Sequence, residues 1–173
     1  MSHTPSDIRL QAARLLESAG AARAPVSLRD VVSALNLELV QKTREPFSSE
    51  AALESCGDSH AIVVRGGSGE RRRRFAIAHE MGHFVLHPEI LGPERGGGGV
   101  NAAWQAQERE ADQFAAELLM PEPLVREAFV EQSGDVSRLA DRFDVSRQAM
   151  RNRLRHLGLS GHRGDDASPR YTA

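Results

Sequence analysis

The stretch Arg73-Arg74-Phe75-Ala76-Ile77-Ala78-His79-Glu80-Met81-Gly82-His83-Phe84-Val85-Leu86-His87 decides how this chain is read. Its spacing predicts a helix over residues 73–87 with Phe75, His79, Gly82, His83 and Leu86 on one face. His79-Glu80-Met81-Gly82-His83 is an HExxH pattern. Two imidazoles four residues apart on a helix project the same way, about 6 Å apart along the axis, and can share one zinc ion. Glu80 borders the same site, where a carboxylate can take a proton from a water whose pKa the metal lowers to about 7. A pair of ordinary helix histidines would show the same spacing, so the pattern needs a third ligand to carry weight.

A catalytic zinc normally takes three protein ligands and keeps a fourth position for water. His87 repeats the i+4 spacing, but an uninterrupted helix places it about 12 Å along the axis from His79, too far for both to bind one metal. A place behind the ligands or at the helix C-terminus suits it better. The better donor lies in Glu108-Arg109-Glu110-Ala111-Asp112-Gln113-Phe114-Ala115-Ala116-Glu117-Leu118-Leu119-Met120-Pro121. Here Ala111, Phe114, Ala115, Leu118 and Leu119 define a buried stripe. At about 100° per residue, Glu108 falls about 50° from the centre of that stripe and Glu110 about 110°, which makes Glu108 the inward carboxylate. Asp112, one turn on, can accept the free N–H of a ligand histidine and hold its tautomer. The expected set is therefore His79, His83 and Glu108 on the metal, Glu80 as base and Asp112 behind a histidine.

At these residues the chain resembles the ImmA/IrrE metallopeptidases. The likeness runs through Arg74 to His87 and through Glu108-x-x-Ala111-Asp112-x-Phe114-Ala115-x-x-Leu118-Leu119-Met120-Pro121. It continues in Val145-Ser146-x-x-Ala149-Met150-x-x-Arg153-Leu154-x-x-Leu157-Gly158-Leu159, so it covers about residues 6 to 159. The resemblance implies one zinc ion per chain on His79, His83 and Glu108, with Glu80 as general base. It also implies a substrate, a helix-turn-helix repressor of the XRE type, whose cleavage relieves repression in a stress or mobile-element response. One departure is Asp112, where the family more often has Asn; both side chains accept a hydrogen bond from histidine.

The remaining sequence bounds this reading. A length of 173 residues suits one domain, with room for a small appendage. No apolar h-region follows Met1 and no run approaches 18 apolar residues, so a cytoplasmic protein with no membrane partner is expected. The single cysteine, Cys56, excludes an internal disulfide and fits a reducing compartment. A net charge of -2 gives no global case for nucleic acid.

Helices are expected at 6–20, with Gly20 as a stop, and from Ser27 to near residue 35. Strands are expected at 37–41, 50–53 and 60–65, the last two joined through Ser55-Cys56-Gly57-Asp58, which gives a short antiparallel sheet. Such a sheet could hold an extended peptide as an added strand, or merely pack on the helices. The glycine-rich segment 92–99 reads as a loop between the ligand helices, Trp104 as core or cleft wall, and Arg71 to Arg74 as a solvated face.

Residues 136–143 and 146–156 resemble a helix-turn-helix with Ala140, Val145, Met150 and Leu154 as its core. Over residues 135–157 six arginines (Arg138, Arg142, Arg147, Arg151, Arg153, Arg155) against three aspartates (Asp135, Asp141, Asp144) give a local charge of +3. One basic helix pair with no second half-site lacks affinity for DNA, so no DNA-binding residue is assigned. A DNA-binding or repressor-binding protein acting without proteolysis is the alternative. The expected fold is α+β: a mainly helical, gluzincin-like zinc peptidase domain over 6–133 with a small antiparallel sheet, helix-turn-helix-like helices over 134–159 packed on it, and a disordered tail over 160–173. Candidate oxyanion donors are His60, His87 and an arginine near the cleft; the sole tyrosine, Tyr171, falls in the tail.

Overall fold

A computed structural model describes residues 3–42, 50–56, 59–65, 69–90 and 102–159. The glycine-rich segment 92–99, the turn residues 57 and 58, the tail from residue 160 and Tyr171 lie outside them. The chain runs α1 (Pro5–Ser18), α2 (Leu28–Ala34), β1 (Glu38–Lys42), β2 (Ala51–Cys56), β3 (Ser59–Arg65), α3 (Glu70–Leu86), a 3-10 turn (Pro88–Ile90), α4 (Ala102–Leu119), α5 (Glu122–Glu131), α6 (Val136–Phe143) and α7 (Arg147–His156). This is the α+β class, mainly helical with one small sheet.

Local chemistry sets the helix ends. Thr4 and Asp7 form a reciprocal capping box at α1, and Ser27 caps α2. Asp135 caps α6, and Ser146 caps α7 through the backbone N–H of Ala149. Between α6 and α7 the chain turns at Asp144, in the left-handed region at φ 50°, which closes the helix-turn-helix-like corner.

The sheet departs from expectation. Its strand order is β1-β3-β2, with β3 antiparallel to β2 but parallel to β1. It is therefore mixed. The hairpin makes β3 run back beside β2, and its free edge then pairs with β1, which runs in the same direction. Strand β2 also extends through Ser55 and Cys56, which pair with His60 and Ser59 instead of forming the loop. Ile62 and Val64 of β3 pair with Leu53 and Ala51 of β2, and all four are buried. This half-sheet packs on α3, and α3 packs along α4, whose other side meets α1.

The core passes from Ile8, Ala12 and Leu16 through Met81, Phe114, Ala115 and Leu118 to Leu139, Phe143 and Met150 without a break. The last two helices are joined to the rest by polar contacts as well. Arg153 is buried with a two-pronged contact to Glu117 and a 2.9 Å hydrogen bond to the Met120 carbonyl. Arg71 pairs with Asp141 at 2.7 Å and with Asp144 at 3.3 Å, and Arg74 lies 3.1 Å from Asp144. The arginine run is thus more than a solvated face: two of its members fasten the start of α3 to the α6–α7 corner, because the helix turn brings Asp144 against them.

Candidate metal centre and cleft

Helix α3 presents His79 and His83 on the face toward α4, and α4 presents Glu108 back. His79 Nε2 and His83 Nε2 lie 3.0 Å apart. Glu108 Oε2 is 3.4 Å from the former, and its Oε1 is 3.1 Å from the latter. Donors about 2.0–2.1 Å from a tetrahedral zinc ion are separated by about 3.3 Å, so the three groups are already spaced as a zinc site requires.

Proton positions, assigned from hydrogen-bond partners, give a second test of fit. His79 Nδ1 is 2.9 Å from Asp112 Oδ1, an acceptor, so Nδ1 carries the hydrogen and Nε2 of the neutral ring carries the lone pair. His87 Nε2 is 3.0 Å from Glu110 Oε2 and donates to it, which leaves His87 Nδ1 as an acceptor. His83 Nδ1, 3.2 Å away, must then donate to His87, and His83 Nε2 also carries a lone pair. Two lone pairs and a carboxylate therefore converge on one point. That arrangement is repulsive without a cation between them and is the donor set of a metal ion. Burial of the His79 ring opposes its charged form, but the hydrogen bond and charge of Asp112, with Glu108 and Glu80, outweigh it and raise its pKa above the ordinary histidine value.

Glu80 is buried and lines the same cleft as the three ligand candidates. Its Oε2 accepts a 3.0 Å hydrogen bond from the backbone N–H of Leu53 in β2. The sheet thus holds the carboxylate that the helix delivers. Trp104, at the start of α4, lies over His83 with ring centroids 6.3 Å apart and planes within 16°, and forms part of the cleft wall.

The cleft has a volume of about 1290 Å³. One side is edge strand β2, with Glu50 to Leu53. The opposite side includes Val145, Ser146, Gln148, Ala149, Asn152 and His156 from the corner and from α7. The helix that the sequence likens to a DNA-reading helix therefore presents a polar face to the same cleft as His79 and His83. Of the oxyanion candidates, His60 and His87 do not line this cleft: His60 packs edge-on against Phe84, and His87 is fully buried behind His83. Arg71 and Arg72 do line it.

Glu110 departs from the helical-wheel expectation. It is more buried than Glu108, whose side chain is 36% exposed. The wheel assumed one packed stripe, whereas α4 is packed by α3 on one side and α1 on the other, and Glu110 lies where they meet. There its Oε1 accepts from the backbone N–H of His3, at 3.1 Å. Sequence reasoning gave Glu110 no role. The available signal was the third histidine at i+4, which needs a buried partner if it continues the stripe inward.

The sequence model of the IrrE N-terminal-like domain, a peptidase family, matches residues 31–155. No curated protein matches the chain. A solved structure, described as a Mycobacterium tuberculosis transcriptional regulator, is similar with 19% sequence identity and a TM-score of 0.66, over 86% of this chain and 46% of that one. The present chain spans less than half of that regulator, and the likeness is one of fold.

Proposed function

Because the chain belongs to the IrrE N-terminal-like peptidase family, we propose that it is a zinc-dependent endopeptidase that cuts a helix-turn-helix repressor of the XRE type. The observation that carries the reading is the convergence of His79 Nε2, His83 Nε2 and Glu108 within 3.0–3.4 Å of one another, with Glu80 lining the same cleft. The metal, when bound, would polarise the scissile carbonyl and acidify the attacking water. Glu80 takes the proton from that water and returns it to the leaving amine. Its hydrogen bond from Leu53 N–H keeps the carboxylate aimed. Asp112 holds His79 with its Nε2 lone pair toward the metal. Substrate would lie in the cleft between β2 and α7.

The substrate class rests on the family likeness. A cytoplasmic setting belongs to the same reading; among the described residues no helix is long and apolar enough to cross a membrane. The test compares new protein termini, by mass spectrometry, in cells expressing the wild type or Glu80→Gln. New termini in a helix-turn-helix repressor with the wild type, absent with Glu80→Gln, are expected. Equal relief of repression by both proteins, with no cleavage, would show that the protein acts by binding.

A further inference from the structure

Behind the metal centre lies a second cluster, His3, His87 and Glu110, whose ligand atoms fall within 4.8 Å of one another. Its composition is that of a metal site. The hydrogen bonds exclude that reading once His83 binds a metal. His83 Nε2 can ligate only if its Nδ1 keeps the hydrogen, and the acceptor for that hydrogen is His87 Nδ1, at 3.2 Å. A neutral His87 with an accepting Nδ1 carries its own hydrogen on Nε2, where Glu110 receives it at 3.0 Å. His87 Nε2 then has no lone pair for a second metal, short of stripping the ring of its last proton. Occupation of the two sites is mutually exclusive.

We infer that His87 and Glu110 are positioning residues that hold His83 in its Nδ1–H tautomer and aim its Nε2 at the metal, so that the chain takes one ion and the second cluster takes none. The inference rests on the metal-site reading proposed above. Both side chains are buried, His87 completely, so the chain of hydrogen bonds is shielded from competing water. Glu110 is held at both oxygens: Oε2 by His87, and Oε1 by the backbone N–H of His3. The His3 ring in turn donates from Nε2 to the Leu86 carbonyl at 2.8 Å, which fastens the start of α1 to the end of α3. His79 is held by one exposed aspartate, whereas His83 is held by an interior relay spanning three elements. The two ligands thus differ in rigidity, with His83 the anchored one.

The test is zinc competition against a chelator together with 15N-detected imidazole spectra of the metal-free and zinc-loaded protein. His87→Ala and Glu110→Ala are expected to weaken zinc by about 10–100-fold. His87→Gln should recover most of that loss, since its amide oxygen can accept from His83 and its NH₂ can donate to Glu110. A role in stability alone would shift the melting temperature of all three variants without this rescue. The wild-type spectra should place the His83 hydrogen on Nδ1, and zinc should saturate at one equivalent. The inference is overturned by a His83 hydrogen on Nε2 in the metal-free protein, by unchanged affinity in His87→Ala while His83→Ala loses zinc, or by a second equivalent lost in Glu110→Ala. Should the wild type bind no zinc at all, the peptidase reading fails, and the metal-free spectra still decide the relay.

Discussion

Gly82 and Ala111 bring α3 and α4 into near backbone contact: a Cβ on Gly82 would stand 3.0 Å from the Ala111 Cα and 3.1 Å from its carbonyl oxygen. Gly82 immediately precedes His83, and Ala111 lies three residues after Glu108. The missing side chain therefore sets the distance at which the carboxylate of one helix meets the imidazoles of the other.

Gly82→Ala should for this reason reverse the ordinary preference for alanine in a helix, worth roughly 0.5–1 kcal/mol. Pushing α4 away should cost about 1–3 kcal/mol of stability, and zinc affinity should fall with it because Glu108 moves off the histidines. Denaturant unfolding with and without zinc measures both. A more stable variant with wild-type affinity would show that the helices have slack.

Asp112→Ala should weaken zinc by about 10–100-fold by freeing the His79 ring, while leaving the fold intact, since Asp112 is exposed. Asp112→Asn should keep most of the affinity, because the amide oxygen can still accept the Nδ1–H. Equal losses in the two variants would make charge, and not tautomer control, the contribution of Asp112.

The Glu117–Arg153 pair is buried at both partners, each side chain 2% exposed. Removing one partner, as in Arg153→Met, should destabilise the fold by about 3–5 kcal/mol, since the buried Glu117 charge would keep only the half-exposed Arg9, 3.7 Å away. Replacing both by Met should recover much of that. Urea unfolding of the two single variants and the double variant forms the cycle; additive losses would show that the ionic contact is not the source of the cost.

The wild type should show no sequence-specific duplex binding at physiological salt. Of the six arginines that give the α6–α7 segment its positive charge, Arg153 is buried against Glu117, Arg142 contacts Glu131, and Arg138 lies 3.8 Å from Asp135. With α7 also walling the cleft, little of a DNA-reading face is left. A gel shift abolished by Arg147→Ala with Arg151→Ala would contradict this and promote the DNA-binding alternative.

The HExxH pair, the Ser27 cap of α2 and the core of the C-terminal helix pair were legible from order and spacing alone. Each is a local property: periodicity decides which side chains share a face, and a capping side chain acts on N–H groups two or three residues away. Three things required the tertiary structure. Strand β1 joins β3 in parallel because pairing between distant segments depends on which edge the hairpin leaves open, and no local residue carries that information. Glu110 is interior because α4 is packed on two sides, whereas a helical wheel can represent only one. The relay from Glu110 through His87 to His83 exists because α1, α3 and α4 meet at one buried point, where hydrogen-bond direction, once set by a carboxylate, propagates from ring to ring.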